Sequence, residues 1–383
     1  MAFRIFLSPP RLGGTEIEYI QEAFATNWIA PYGPSINAFE REMARYIGVE
    51  SSLALTSGTA GIHLALRWCG AEAEDLVFCS DYTFIGSCCA VLYEKCKPVF
   101  IDSEPDSWNM SPAALQKAFE WAKNQGRLPK AVIIVDLYGE SADWDRLLPI
   151  CRRYGVPVIE DAAEAAGTVY KGKKCGSFGD IGILSFNGNK IITTSGGGMV
   201  LSNNRLAVEK MRFWATQARE PCIHYEHKEF GYNYRMSNIC ACIGRGQLEV
   251  LPQKLEKRFI IYENYRNGFD GLPAHIKGTA EKGCSNHWLS LLVLDTDWIT
   301  PFEIVTRLHN ALIEARTAWK PMHMQPLFHD AVFFAHGNSG EQSVSENCFA
   351  RTVCLPSGEA LSDADQREVM DEVRKCFDNH STG

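Results

Sequence analysis

Between Ser52 and Asp161 the chain alternates short, nearly continuous apolar runs with longer stretches whose apolar residues recur at helical spacing. "SLALT" (52–56), "LVFCS" (76–80), "KPVFID" (97–102), "AVIIV" (131–135) and "VPVIED" (156–161) read as strands. Between them, residues 59–69, 84–92 and 143–154 read as helices, as does the stretch opened by Ser111 as cap and Pro112 in the first turn. Strands without polar alternation are buried on both faces, and their alternation with helices predicts a mainly parallel sheet with helices on both sides. Two amphipathic patterns, 16–25 and 36–46, precede this unit. After residue 180 the rhythm changes. "IGILSF" (181–186) and "GMVLS" (198–202) read as strands with no helix between them, so they can pair directly. From about Gly246 one long helix, "QLEVLPQKLEKRFIIYENYRNGF", leads to a strand, "WLSLLVL", and a helix beginning "TPFEIVTRLHNAL". The pattern therefore predicts an α/β protein with a large domain over 1–250, including the N-terminal segment, and a smaller C-terminal α/β domain over 251–383.

Length and composition agree with this division. The 383 residues exceed one small core, and a 46% hydrophobic content can fill a large interior. A formal charge of −8 gives no electrostatic basis for binding nucleic acid or an anionic membrane. The fourteen cysteines include no Cys-x-x-Cys pair, the nearest approach being Cys240-Ala-Cys242. Reduced, mostly buried thiols and no metal site are expected. "MAFRIFLSPPRLGG" is not a signal peptide, and no apolar stretch is long enough to span a bilayer, so a cytoplasmic location is expected.

Ligands of open α/β sheets sit outside the carboxyl ends of the strands. Four groups follow such ends. Ser57-Gly58-Thr59 opens a helix, where free N–H groups, hydroxyls and a close-approaching backbone suit a phosphate, although a plain helix cap would use the same residues. Phe84 follows the second strand and by itself reads as an ordinary aromatic. Asp161 ends an apolar strand, where a carboxylate is costly without a cationic partner. Lys190 is the only charged residue between Ile181 and Asn204, which suits an amine that must act as a nucleophile, while a surface hairpin is the commoner home of a lysine. Together the four describe a pyridoxal phosphate site: an amine for the aldehyde, a carboxylate for the pyridine nitrogen, an aromatic for the ring, and a glycine-hydroxyl turn for the phosphate.

The segments "LTSGTAGIHLAL", "DYTFIGS", "VPVIEDAAEAAGTVYKGKKCGSFGDIGILSF", "NGNKIITTSGGGM" and "GYNYRMSNICACIGRGQLE" resemble the DegT/DnrJ/EryC1/StrS sugar-nucleotide aminotransferases. The resemblance runs from "LSPPRLGGTEIEYI" to "CLPSGEALS" and implies the fold type I architecture of pyridoxal phosphate enzymes. "LSPP", "NWIAPYG", "SFNGNKIITTSGGG", "RFWATQAREPCIHYEH" and "RTAWKPMHMQPLF" look most like the branch that aminates UDP-4-keto-6-deoxy-N-acetylglucosamine towards N-acetylbacillosamine. Asn187-Gly188-Asn189 stands where many sister families have a His-Pro before the lysine region, which favours that branch.

The resemblance implies roles. Lys190 bonds the cofactor and moves the proton; Asp161 pairs with the pyridine nitrogen; Phe84 stacks on the ring; Gly58, Thr59 and Ser185 take the phosphate; Glu164 lies near the ring hydroxyl. Asn233 and Arg235 reach the phosphate region of a neighbouring subunit, implying a homodimer with shared sites. Trp28, Ile29, Ala30 and Pro31, with Arg316, Trp319, Lys320 and His323, line the sugar-nucleotide site. The implied reaction is transamination from L-glutamate to the C4 ketone of the UDP-linked sugar. A GDP- or dTDP-linked 4-keto sugar is the alternative substrate, and a non-catalytic pyridoxal-phosphate-binding homologue the remaining one. Related sugar dehydrases place histidine where Lys190 stands, so the lysine argues against dehydration.

Overall fold

The structure is a computed structural model that describes residues 3–280, 283–338 and 340–378. Helices α1 (Glu16–Ala25) and α2 (Pro34–Ile47) lead into β1 (Ser51–Leu55), α3 (Gly58–Trp68), β2 (Leu76–Ser80), α4 (Gly86–Tyr93) and β3 (Lys97–Ile101). Then come α5 (Pro112–Asn124), β4 (Ala131–Val135), α6 (Trp144–Tyr154) and β5 (Val158–Asp161). A small ribbon, β6 (Val169–Tyr170) and β7 (Lys173–Lys174), precedes β8 (Ile181–Ser185) and β9 (Gly198–Ser202). Ser111 caps α5 by accepting from the Ala114 amide at 3.1 Å, and Pro112 occupies the first turn, as the sequence predicts.

The large sheet has eight strands in the order β1-β9-β8-β5-β4-β2-β3-β14, the last being Val332–Phe334. β8, β5, β4, β2, β3 and β14 run parallel, while β9 is antiparallel to both β1 and β8. β8 and β9 thus pair directly, as expected from the missing helix between them. Because β9 runs backwards, its first residue, Gly198, lies opposite Ser185 and Leu55 at the carboxyl edge of the sheet. Apolar clusters fill both faces: Leu53, Val77, Ile133, Ile159 and Ile183 in one, and Phe78, Val132, Ile134 and Trp144 in another.

The single long helix expected from Gly246 onward is two. α8 (Asn238–Glu249) ends at Val250 and α9 (Leu251–Gly268) restarts with Pro252 in its first turn. Proline has no N–H to continue the first helix, and its fixed φ suits the start of the second. Beyond lie β10 (Ala274–Ile276), β11 (Gly283–Cys284), β12 (Ser290–Leu294), α10 (Pro301–Asn310), β13 (Arg316–Thr317), α11 (Val344–Arg351), β15 (Thr352–Leu355) and α12 (Asp363–Asp378). β10, β12, β15 and β13 form a second, four-stranded sheet whose core includes Tyr265, Leu292, Ile304, Leu308 and Val369. Neither core is contiguous in sequence: Ile5 bridges Ile313 and joins the smaller core, while β14 closes the edge of the large sheet. All fourteen cysteines are unpaired thiols, and only Cys284 is exposed. No helix of the described residues is long and apolar enough to cross a membrane.

Candidate active site

Four strand ends meet at the carboxyl edge. Asp161 closes β5, and its register partner on β8 is Ile183, two residues before Ser185. Ser57 caps α3, its Oγ accepting from the Ala60 amide at 3.0 Å. The turn after it lies against the neighbouring strands. A Cβ on Gly58 would sit 3.4 Å from Ser185 Cβ, and one on Gly198 would lie only 2.3 Å from both Gly58 N and Ser57 C. The close approach fixes where the amide-rich start of α3 stands, and it brings Gly58 and Ser185 side by side. A Cβ on Gly86 would meet the Phe84 ring at 3.1 Å and Thr59 Oγ1 at 3.4 Å, so Thr59 and Phe84 border the same opening. Phe84 leaves about half of its surface (51%) open for a ring to stack on.

Asp161 is 4% exposed. Its Oδ2 accepts from Ser87 Oγ at 2.7 Å, with Thr83 Oγ1 2.9 Å behind, and its Oδ1 accepts from the Ala163 amide at 3.1 Å. Burial pushes its pKa up, only partly opposed by these neutral donors and by the more distant Lys190. A carboxylate so placed gains from a cationic N–H.

Lys190 is alone in sequence but not in space. Its Nζ stands 3.5 Å from Glu164 Oε1 and 3.9 Å from the centre of the Trp288 ring, with the side chain 11% exposed. The charge-free surroundings inferred from the sequence are therefore corrected: the chain returns from β5 to set Glu164 beside the amine. Glu164 Oε2 also accepts from the Tyr138 amide at 2.7 Å. Burial raises its pKa, and Lys190 is the chief opposing influence. An amine held within reach of the opening by a buried carboxylate, a buried carboxylate with only neutral donors, an exposed aromatic face and a glycine turn at a helix start together fit pyridoxal phosphate.

An aromatic row that the sequence did not disclose backs the site. Phe84 and Trp319 lie 5.2 Å apart between ring centres, Trp319 stacks on Tyr138 at 5.9 Å, and Tyr138 on Trp288 at 6.1 Å. Tyr138 sits at φ 51°, its Oη accepting from the Trp319 amide at 2.8 Å. Trp319, expected at the sugar-nucleotide site, therefore stands against Phe84. Lys320 neighbours it and is half-buried, whereas Arg316 is exposed and pairs with Glu314 at 2.9 Å.

Three of the expected groups, His323, Arg235 and the run Trp28 to Pro31, are held by contacts within the chain. His323 has both ring nitrogens engaged, Nδ1 with Asp81 at 2.8 Å and Nε2 with Glu346 at 3.4 Å, and its ring stacks on Phe333. Burial alone would lower its pKa, but the two carboxylates outweigh that and the net direction is up. It ties the 316–323 segment to the end of β2 and has no free polar atom for a nucleotide. Arg235 is pinned within its own chain to Glu40 at 2.7 Å and to the Ala54 carbonyl at 3.3 Å. Asn233 alone of that pair is exposed. The third group, Trp28 to Pro31, is held by α8: Asn238 donates through its amide to the Ala30 carbonyl at 2.9 Å and through Nδ2 to the Trp28 carbonyl at 3.0 Å. Trp28 and Ile29 stand open to solvent.

Two clusters have metal-ligand chemistry, Cys222/His224/Glu226 on a partly exposed loop and the fully buried Asp136/Glu160/Cys175. In the second, Glu160 accepts from the amides of Gly176, Phe178 and Gly179, while Asp136 Oδ2 has no partner. Burial, then the neighbouring Glu160, push Asp136 well above the usual carboxylate range. Burial raises the pKa of Glu160 as well, opposed by its backbone donors, Gly179 first.

The chain is 36% identical over 370 residues to a GDP-perosamine synthase of Caulobacter vibrioides, covering 96% of each. It is 32% identical over 295 residues to a UDP-4-amino-4,6-dideoxy-N-acetyl-beta-L-altrosamine transaminase of Campylobacter jejuni, covering 76% of this chain and 77% of that one. It is also 53% identical over 379 residues to EpsN of Bacillus subtilis, named provisionally as a pyridoxal phosphate-dependent aminotransferase, covering 98% and 96%. Among solved structures, a DegT DnrJ EryC1 StrS aminotransferase from Brucella abortus superposes with a TM-score of 0.86 at 27% identity, over 94% of this chain and 95% of that one. The DegT/DnrJ/EryC1/StrS aminotransferase family matches residues 10–374. The chain belongs to this family and is a pyridoxal-phosphate-dependent sugar aminotransferase.

Proposed function

We propose that this enzyme carries the amino group of L-glutamate to the C4 ketone of UDP-2-acetamido-4-keto-2,6-dideoxy-glucose. The observation that carries the catalytic part is Lys190 Nζ poised between Glu164 and Trp288, at the same sheet edge as the buried Asp161. The bound cofactor supplies an electron sink for the carbanion formed at the amino donor. Lys190 Nζ takes the proton from the donor's α-carbon and delivers it on the other side of the reacting system, then reverses the transfer for the sugar. Asp161 holds a proton on the pyridine nitrogen, Gly58, Thr59 and Ser185 bind the phosphate, and Phe84 covers the ring. Glu164 balances the charge of Lys190 when its amine has taken up a proton. Lys190→Ala is expected to abolish turnover and the visible band of lysine-bound cofactor; full turnover in that variant overturns the assignment.

A GDP-linked 4-keto sugar is the second reading, favoured by the higher identity to the GDP-perosamine synthase than to the UDP-sugar transaminase. Incubation with glutamate and a panel of UDP-, GDP- and dTDP-4-keto sugars, with products read by NMR, decides between them. Preference for a non-UDP sugar displaces the first reading.

The working unit we infer is a homodimer in which Asn233 completes the neighbour's phosphate site. Exposed Tyr32, Tyr225 and Phe230, with Trp28 and Ile29, give the chain apolar surface to bury, and Asn233 is itself exposed. Mixing Lys190→Ala with Asn233→Asp should restore part of the activity that each lacks, because one site of the mixed dimer is intact. No recovery on mixing dimers shown to exchange subunits removes Asn233 from the site.

A further inference from the structure

The main chain just before Lys190 is held by groups from two distant parts of the sequence. The carbonyl of Asn189 accepts two hydrogen bonds, from Ser8 Oγ at 2.9 Å and from Trp288 Nε1 at 2.8 Å. Ser8 belongs to the N-terminal segment, and Trp288 stands just ahead of β12 in the smaller sheet. Both donors are in turn fixed by one fully buried guanidinium on α9: Arg258 donates to Ser8 Oγ at 3.2 Å and to the Trp288 carbonyl, and pairs with Glu359. Trp288 has a second anchor. Its amide donates to Asn286 Oδ1 at 2.8 Å, and Asn286 Nδ2 donates to the Glu164 carbonyl at 2.9 Å. The contacts close a ring: Lys190 Nζ to Glu164, Glu164 through Asn286 to Trp288, and Trp288 back to the peptide that carries Lys190.

We propose that Ser8 and Trp288 are positioning residues that aim Lys190 by anchoring the Asn189 carbonyl, with Arg258 setting both donors in place. A lysine side chain has four rotatable bonds, so the location of its amine depends on how firmly its Cα is held. Cofactor attachment and proton shuttling both require that amine to return to one point, and small misplacements of a reacting group are costly in rate. The anchor also makes the smaller unit and the N-terminal segment part of the lysine's support. Removing one donor leaves the carbonyl one partner; removing both leaves a part-buried acceptor with none, so the losses should not be independent.

The test uses the full-length, cofactor-free protein and Ser8→Ala, Trp288→Phe, the double variant and Ser8→Thr. Trp288→Phe keeps an aromatic face for Lys190 and removes the N–H. Amide hydrogen exchange is followed in a peptide spanning 186–194, and covalent attachment of added pyridoxal phosphate by its visible absorbance. Each single variant is expected to exchange about threefold faster in that peptide, and the double at least thirtyfold faster, well beyond the roughly ninefold product of the two, confined to it. The double should also attach the cofactor at least tenfold more slowly, more than the product of the two single effects. Ser8→Thr, which keeps the hydroxyl, should match the parent. Unchanged exchange in the 186–194 peptide of Ser8→Ala, or a double variant that only multiplies the single effects, overturns the proposal; Ser8→Ala decides it even if Trp288→Phe fails to fold. The inference rests on Lys190 being the cofactor's lysine, but the exchange measurement involves no cofactor, so a failure of that reading appears separately, as absence of attachment in the parent.

Discussion

Gly198→Ala puts one methyl group where the backbone of the phosphate turn passes. The added Cβ would lie 2.3 Å from Gly58 N, 2.3 Å from Ser57 C and 2.5 Å from Ser57 O, against an ordinary contact of 3.4 Å or more. Something must retreat by about 1 Å. β9 cannot, because Gly198 is paired on one side with Leu55 of β1 and on the other with Ser185 of β8. The start of α3 must move instead, carrying the amides of Gly58 and Thr59 and the cap at Ser57. Overpacking of this kind costs about 1–3 kcal/mol. If the strain falls on the phosphate turn, cofactor affinity drops roughly tenfold to hundredfold, at about 1.4 kcal/mol per decade. Spectroscopic titration of the cofactor-free variant with pyridoxal phosphate measures this, and a thermal melt reports how much strain the fold absorbs. Gly61→Ala is the control: it lies one turn along the same helix, and its Cβ would meet only side-chain atoms, nearest Ile183 Cδ1 at 3.1 Å. Parent-like affinity in Gly198→Ala would refute the reasoning, because the Ser57–Thr59 turn would then not bear on the phosphate.

Other expectations follow from the buried charges. Asp161→Asn should leave the cofactor-free melting temperature equal or raised, since it removes a buried carboxylate whose pKa burial has pushed up, while turnover falls by about a hundredfold or more. Asp136→Asn should flatten the stability-pH curve. The parent's Asp136 has a raised pKa in the fold, so its contribution is present at low pH and lost as pH rises; denaturant melts from pH 5 to 9 should show the variant gaining relative to the parent. His323→Asn should destabilise by roughly 1–2 kcal/mol at pH 6. His323 has a raised folded pKa, so its ionic contribution is full below the unfolded value of about 6.5 and disappears as pH climbs through the folded one. The deficit should therefore shrink by pH 9, and a deficit independent of pH would show that the His323 charge contributes nothing.

Much of the scaffold was legible because its strands are short uninterrupted apolar runs: β2, β4 and β9 fall on the residues that the pattern marks. The parallel register of β5 and β8 then brings Asp161 next to the strand that leads to Lys190. Glu164, three residues past Asp161, was assigned to the site, but its pairing with Lys190 was hidden, since charge isolation along the chain says nothing about what a loop brings alongside. Trp288, Tyr138 and Asn286 carried no local signal at all. Their placement depends on a second sheet docking against the first, a contact between positions about a hundred residues apart. His323 was placed at the sugar-nucleotide site by resemblance alone, and its pairing with the buried Asp81 depends on a contact that no local pattern announces. The break at Val250 was written in Pro252, which the helical period around it masked.

The return of residues 332–334 to the edge of the large sheet bears on how the protein is made. β3 is complete once residue 101 has been synthesised, yet its outer edge stays open until β14 emerges more than two hundred residues later. Throughout that interval a nascent chain presents an unpaired parallel strand, the kind of edge that recruits other strands. A fragment ending near residue 250 would hold that edge open permanently and would also lack Trp288, so cutting the chain at the apparent domain boundary should yield an aggregation-prone piece rather than a smaller catalyst.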